Sequence, residues 1–511
     1  MTSRKKSIEF IDTSLRDGHQ SLLATRMTTA QALSVLPLLR DAGYGILELW
    51  GGATLDAALR FTDDDPFERL VTFRKVLGPD VQIRSLCRGQ NLFGYSPYPD
   101  NVVEAFLKVA CDLGNDRVRT FDALNDERNL ETAVRATRAA GSHAEVALSY
   151  TTSPVHDLEH FGRFADAAVG LGADSLAIKD MAGLLHPMVA WELIEGLKAR
   201  FGDLPLTLHT QTTNGFANTT AVVAMVAGVD YIDVAHGPLA GGTSLPPVEL
   251  LTYFADALGL ETNVDRKAWA PIHAKLLAIR RELRDSDAAP DDIGRPWPSA
   301  PTDDVRRKVD RALELIQSRD HDQTEEAMRI IEQEIMVPQG YPATDARQLE
   351  AQIPGGMLSN LHKQLKGQGA LDRLPEIIEA VPGVREDAGW VPLVTPTSQI
   401  VGSQAAFNVL TGKRYGHVSK PFANLVMGLY GRTPGPVSLE VLEKCARGRA
   451  RYTERPASYA DPVDLDALRA DNSALIRSDA DLMLLALFKK PAQALLERRS
   501  IEPAIAQVIG R

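Results

Sequence analysis

The sequence predicts an α/β protein, a closed (β/α)8 TIM barrel followed by a mostly helical C-terminal domain. Three observations carry this expectation. Eight short apolar runs rich in β-formers recur through the first half, ending at Asp17, Trp50, Arg88, Asp122, Tyr150, Lys179, His209 and His236. Their spacing of roughly 27–38 residues matches the ~30 residues of one β–α unit. Helical periods lie between the runs, and no glycine-rich nucleotide loop follows the first of them, as an open doubly wound sheet would require.

Taken in order, SIEFIDTS is the first strand and runs into DTSLRDGHQSLLATR at 12–26. The apolar spacing predicts a helix over 29–41, then the strand GILELWGG, the strand VQIRSLCRG, and a helix over 101–113. RVRTFDALN, HAEVALSY, SLAIKD and LPLTLHTQ continue the alternation, a helix is predicted over 217–228, and YIDVAHG is the eighth strand. After residue 262 helical periods alternate with Pro-rich breaks. Segment 286–302 carries four prolines and reads as a surface loop, and two charged amphipathic helices follow at 304–318 and 324–336. From 345 to about 495 further helices, broken by IPGGMLSN and VTPTSQIVG, are expected to pack on the barrel mouth. The implied division is a barrel at 1–262, a helical extension with an insertion at 263–342, and a C-terminal domain at 343–511.

With 511 residues the chain exceeds the ~250–300 that one core usually supports. Hydrophobic residues at 44% and charged residues at 24% are ordinary for a soluble globular protein. A net charge of −11 without a long basic run argues against nucleic acid as a partner. Cys87, Cys111 and Cys445 are too few and scattered for a disulfide framework or a cysteine zinc site, which points to a reducing, cytoplasmic setting. The opening lacks the apolar segment of a secretory signal, and no apolar run approaches the ~18 residues of a membrane span.

In a parallel barrel the C-terminal ends of the strands converge on one face, so polar residues there are functional candidates. Asp17, Lys179, His209 and Gln211 are the set best suited to meet around one metal ion. His209 and Gln211 are two apart and share a side of their strand. Each has a plainer reading: Asp17 paired with Arg16, Lys179 paired with Asp180, and His209 as a hydrogen-bonded core histidine. Together at the strand ends of one barrel they favour a site.

These segments carry a resemblance. DTSLRDGHQSLLATR, ELWGGATLDAALRF, LCRGQNLFGY, TFDALND, IKDMAG, IPGGMLSN and VTPTSQIVG resemble the carboxyltransferase domain of biotin-dependent enzymes. That family includes the alpha subunit of oxaloacetate decarboxylase, the oxaloacetate-side subunit of transcarboxylase, and pyruvate carboxylase. The resemblance covers about 7–285 and 343–495. It implies that Asp17, Lys179 as its carbamate, and His209 bind a divalent metal, with Gln211 at the fourth position. It also implies that Arg88 clamps the substrate carboxylate and that Gln20 bonds the carbonyl oxygen. Asp56 and Tyr95 would face substrate and biotin, and Thr395 would relay a proton between biotin and the substrate methyl. The implied reaction moves a carboxyl group between oxaloacetate, or a related 2-oxo acid, and biotin.

Family members read His-Thr-His where this chain reads HTQ. A neutral amide oxygen is a harder donor than imidazole, so zinc or cobalt should bind more weakly, leaving manganese or magnesium or a lost metal. His236, at the end of the eighth strand, is an alternative source of the second imidazole. Leu245 replaces a common glutamine, and 286–342 is an insertion that reads as a solvated appendage or a carrier-binding surface. No Met-Lys-Met signal appears, so biotin is expected on a separate carrier protein. A homodimer is implied. A biotin-independent enolate lyase or aldolase, and a non-catalytic assembly subunit, are the competing readings.

Overall fold

The computed structural model describes residues 7–343, 352, 361, 365–367 and 369–509; the IPGGMLSN segment lies outside the described residues. The eight runs are parallel strands: β1 (Ser7–Asp12), β2 (Ile46–Gly51), β3 (Gln82–Cys87), β4 (Arg117–Phe121), β5 (His143–Ser149), β6 (Ser175–Asp180), β7 (Leu206–Thr210) and β8 (Tyr231–Val234). They pair in sequence order from β2 to β8, β8 pairs with β1, and Asp12 opposite Leu47 returns β1 to β2. The sheet is therefore closed. A two-residue strand, β9 (Glu261–Thr262), adds to the start of β1.

Helices cover the outside and bury their apolar stripes against the strands. Pro66–Leu77, Asp100–Asp112, Leu158–Gly170, Pro187–Phe201 and Ala217–Ala227 illustrate how local sequence sets their ends. Asp65 accepts from the amides of Phe67 and Glu68 and is followed by Pro66, a residue with no N–H to lose at the first helical position. Asp157 caps Leu158–Gly170 in the same way through His160 N. The helix expected over 29–41 is two helices, Thr29–Leu33 and Leu36–Asp41. Pro37 is the cause: it lacks an amide hydrogen and fits only the first turn of a helix, so the chain restarts there.

The barrel interior departs from the usual layers of branched aliphatic side chains. Glu48 of β2, Arg84 of β3, Arg119 of β4, Glu145 of β5 and Asp233 of β8 all point inward and are fully buried. Arg84 donates to Glu48 at 2.8 Å and to Asp233 at 2.6 Å, and Arg119 bonds both Glu145 and Asp233. Thr207 of β7 donates to Glu145 at 2.7 Å. Arg16 joins from above by bonding Glu48, so three guanidiniums face three carboxylates. Such a layer survives burial only because each charge is paired and hydrogen-bonded.

Beyond the barrel, Leu374–Asp387, Thr397–Leu410, Lys420–Val426 and Leu439–Ala446 build a second apolar core to which Leu124, just after β4, contributes. Asn129 and Asp126 bond Tyr430 O and Arg432 N, which fixes this unit to the mouth of the barrel. Later helices return to the barrel wall: Leu482, Met483, Leu484, Leu495 and Leu496 belong to its core, and Tyr98 donates to Leu487 O at 2.9 Å.

The 286–342 segment is not a detached appendage. Val309, Ala312, Leu313 and Ile316 of the helix Asp303–Gln317, and Ala327 of the helix His321–Arg329, join the barrel core. Trp297, within the stretch that reads as a surface loop, is buried between Tyr253 and Tyr341 and donates to Tyr341 Oη at 3.2 Å. An aromatic side chain with a polar handle found both an apolar slot and a partner. Among the described residues no helix is long and apolar enough to cross a membrane.

Candidate active site

Lys179 and His209 lie near the ends of β6 and β7, where the register places them directly opposite one another. Their side chains face the barrel mouth with Lys179 Nζ 3.1 Å from His209 Nε2. Asp17 arrives differently. β1 stops at Asp12, and Asp17 stands on a π-helical turn, Ser14–Gly18, rather than at a strand end. The Thr13 carbonyl accepts from the amides of Arg16, Asp17 and Gly18, and this wound turn swings the Asp17 carboxylate over the mouth. Its Oδ2 is 3.8 Å from His209 Nε2.

Gln211 follows β7 and donates from Nε2 to Asp17 Oδ1 at 3.0 Å, beside a 2.9 Å bond from Ser21. Its backbone is held by the IKDMAG turn. Gly183 has φ +67°, and a Cβ there would collide with the Gln211 carbonyl, so glycine is required. The sequence set Asp17, Lys179, His209 and Gln211 is thus one cluster, buried to 8% exposure or less. His236 is not part of it: it bonds Tyr44 Oη at 2.9 Å and Glu249 at 3.2 Å in a separate buried pocket. Asp180, offered as a partner for Lys179, instead accepts from the amides of Leu184 and Leu185 and from Thr210.

Electrostatics tune these groups. Burial, reinforced by Arg16, lowers the Lys179 ammonium to about 7 against the pull of Asp17 and Glu48. Burial and Lys179 lower His209 to about 4. Burial raises the Asp17 carboxyl, but Arg16, His209 and Lys179 together outweigh it and hold the group well below the usual carboxylate range. His209 Nδ1 lies 2.8 Å from Asp233, so the neutral ring carries its proton there and turns the Nε2 lone pair toward Lys179. Asp233 links the site to the ionic layer beneath it.

This donor set fits a divalent cation. An ionised carboxylate, a neutral imidazole backed by a carboxylate, and an amide converge, and the lysine is depressed far enough to exist as a free amine. The amide of Gln211 offers oxygen once it turns its nitrogen away from Asp17.

Arg88 sits just past β3 and is 5% exposed. It donates to Phe93 O at 2.9 Å and Gly94 O at 3.1 Å, and its guanidinium lies 5.3 Å from the ring of Tyr95, which is 41% exposed. Among the described residues no carboxylate lies within ion-pairing distance of it. Gln20 accepts from Ala53 N at 3.1 Å, and Asp56 pairs with Arg60 at 2.5 Å while facing Arg88 and Tyr98 electrostatically. Trp50, a strand-end residue, is core: its ring packs on Phe67, Phe93 and Phe106. Thr395 is half-buried and directly follows Val394 in the chain. Val394 packs with Leu86, Phe121, Ala123, Ala147 and Ala177, and the Phe121 ring is 6.0 Å from Lys179 Nζ.

The plainer reading of Asp17 as a partner of Arg16 holds alongside the cluster, with Arg16 Nη2 2.7 Å from Asp17 Oδ2, whereas sequence reasoning missed Ser21 and the ionic layer of Glu48, Arg84, Arg119, Glu145 and Asp233 that Arg16 joins. The one local sign was a charged residue inside each of five largely buried strands, with Arg117 as a second in β4, which marks the residues but not the layer they share.

A family model described as a conserved carboxylase domain matches residues 349–508, and one described as HMGL-like matches residues 108–274. The chain is 37% identical to a pyruvate carboxylase subunit of Methanocaldococcus jannaschii, over 95% of this chain and 77% of that protein. It is 34% identical to the methylmalonyl-CoA carboxyltransferase 5S subunit of Propionibacterium freudenreichii, over 98% of this chain and 90% of that one. The carboxyl transferase domain of Rhizobium etli pyruvate carboxylase, solved with pyruvate and biocytin, superposes with a TM-score of 0.75 at 28% identity, covering 97% of this chain and 78% of that one.

Proposed function

The chain belongs to the carboxyltransferase family of biotin-dependent pyruvate carboxylases and transcarboxylases, and from that premise we propose that it moves a carboxyl group between oxaloacetate, or a related 2-oxo acid, and biotin presented by a separate carrier protein. The single observation that carries the substrate class is Arg88. A buried guanidinium that, among the described residues, has no carboxylate within ion-pairing distance, and that feels the charge of Arg16 beside Asp17, is a receptor for a carboxylate that arrives with the substrate.

Asp17, His209, Gln211 and carbamylated Lys179 would hold a divalent metal, which when bound supplies Lewis-acid stabilisation for charge developing on the substrate's carbonyl oxygen. Arg88 orients the substrate by its carboxylate, and Gln20 hydrogen-bonds the carbonyl. Thr395 carries a proton between the biotin ureido nitrogen and the substrate methyl, with Asp56 and Tyr95 lining the approach. Lys179 Nζ adds to carbon dioxide, forming an N–C bond and releasing one proton. Only the neutral amine reacts, and with its titration near 7 that form is abundant at physiological pH.

Oxaloacetate decarboxylation in bicarbonate buffer, followed with and without free biotin, tests the reading. Biotin-stimulated release of pyruvate is the expected result; turnover indifferent to biotin would favour the biotin-independent lyase.

Gln211→His is expected to raise affinity for zinc or cobalt by roughly tenfold or more, the size that even outer-shell changes produce, while altering manganese binding less. Competition against a chelating dye measures both. Equal zinc affinity in the two proteins would mean that position 211 is not a ligand.

A further inference from the structure

Three donors that the barrel cluster does not use converge where the 286–342 segment meets the barrel wall. His186 ends the loop after β6 and caps the helix Pro187–Phe201, while His321 and Glu325 lie one turn apart on the helix His321–Arg329. Their ligand atoms are all within 4.8 Å of one another, and among the described residues no other group of three His, Cys, Asp or Glu side chains is so spaced. His186 Nε2 is 3.0 Å from Glu325 Oε1, and the His186 and His321 rings stack at 5.7 Å.

We propose that His186, His321 and Glu325 bind a divalent cation of the zinc class, which ties the inserted helices to the barrel. Two imidazoles and a carboxylate are a donor set that zinc uses with a fourth position left to water. The i,i+4 spacing puts His321 and Glu325 on one helix face.

The frame is assembled before any ion arrives. Arg319 pairs with Glu195 and lies 4.1 Å over the Trp191 ring, and Thr324 donates to Met188 Sδ at 3.4 Å. The donors are therefore held close without folding work at the moment of binding. Without metal, His186 carries its proton on Nε2, because Nδ1 accepts from Met188 N at 3.2 Å. Binding moves that proton to Nδ1 and gives up this long cap bond, which is weak beside a metal–imidazole bond. The three residues make no contact with Asp17, Lys179, His209 or Gln211, so the inference stands apart from the proposed reaction.

Calorimetric titration of the 511-residue protein with Zn2+ tests it, comparing wild type with His321→Ala and Glu325→Ala. Both positions are exposed, so the variants keep the fold, and both retain the barrel ligands, so any difference reports this site alone. One equivalent of Zn2+ is expected to be lost, or weakened at least tenfold, in each variant, and Zn2+ is expected to raise the melting temperature of wild type more than that of either variant. Identical stoichiometry and affinity in all three proteins would overturn the proposal.

Discussion

Lys179→Met is expected to reduce oxaloacetate turnover by at least roughly 10³-fold while making the protein more stable. The activity loss follows from removing the oxygen ligand that a carbamate would supply, since metal stabilisation of transition-state charge is worth several kcal/mol and each ~1.4 kcal/mol is tenfold in rate. The stability gain follows from linkage. Lys179 titrates near 7 in the fold against 10.5 in the absence of burial. Between those values the unfolded chain binds more protons than the native one, so this group's contribution to stability rises with pH across the window and its penalty is complete below about 7. Replacing it with a neutral side chain of similar length removes that penalty. The melting-temperature gain over wild type should be largest near pH 6 and shrink toward pH 9. A variant that keeps turnover, or one whose melting temperature falls equally at both pH values, would contradict the assignment.

The second large effect lies beneath the site. Arg119→Met should destabilise the protein by about 3–5 kcal/mol, the usual cost of leaving buried charges without their partner. Arg119 bonds both Glu145 and Asp233 in a layer that water does not reach, and without it Arg84 and Arg16, two guanidiniums, face the three carboxylates of Glu145, Asp233 and Glu48. Chemical denaturation of Arg119→Met and of Arg119→Met with Glu145→Gln measures the coupling. The double variant should recover part of the loss because one orphaned carboxylate is gone. If the single change cost less than ~1 kcal/mol, the ionic layer would not be a structural element of the barrel.

The two effects are connected through Asp233. It accepts from His209 Nδ1 on the site side and from Arg84 and Arg119 on the core side. The charge that orients the candidate ligand is therefore anchored by the same guanidiniums that fill the barrel.

Much of this was legible in the sequence. A repeat near 30 residues, apolar runs ending in polar residues, and helical periods between them are local properties, because strand and helix periodicity is set by backbone geometry. All eight strands lie where the runs placed them, and Lys179 and His209 stand on the mouth because a strand residue's position along the pleat follows from counting. The sequence also marked Gln211 as the departure from a two-histidine site, and its nitrogen does face Asp17.

What lay beyond the sequence involves groups brought together from distant parts of the chain. Nothing local says that Glu48, Arg84, Arg119, Glu145 and Asp233 share one layer, since each strand is compatible with either face until closure selects an inside. Asp17 looked like a strand end because the π-turn that carries it is made by three amides converging on the Thr13 carbonyl. Trp297 looked exposed in a Pro-rich stretch until Tyr253 and Tyr341 formed its slot. By itself, then, the sequence determined the architecture and the cluster's membership, through periodicities that short-range geometry enforces. Only the tertiary structure decided how those residues are charged and aimed, because desolvation and Coulomb pairing depend on which neighbours the closed barrel brings within a few ångströms.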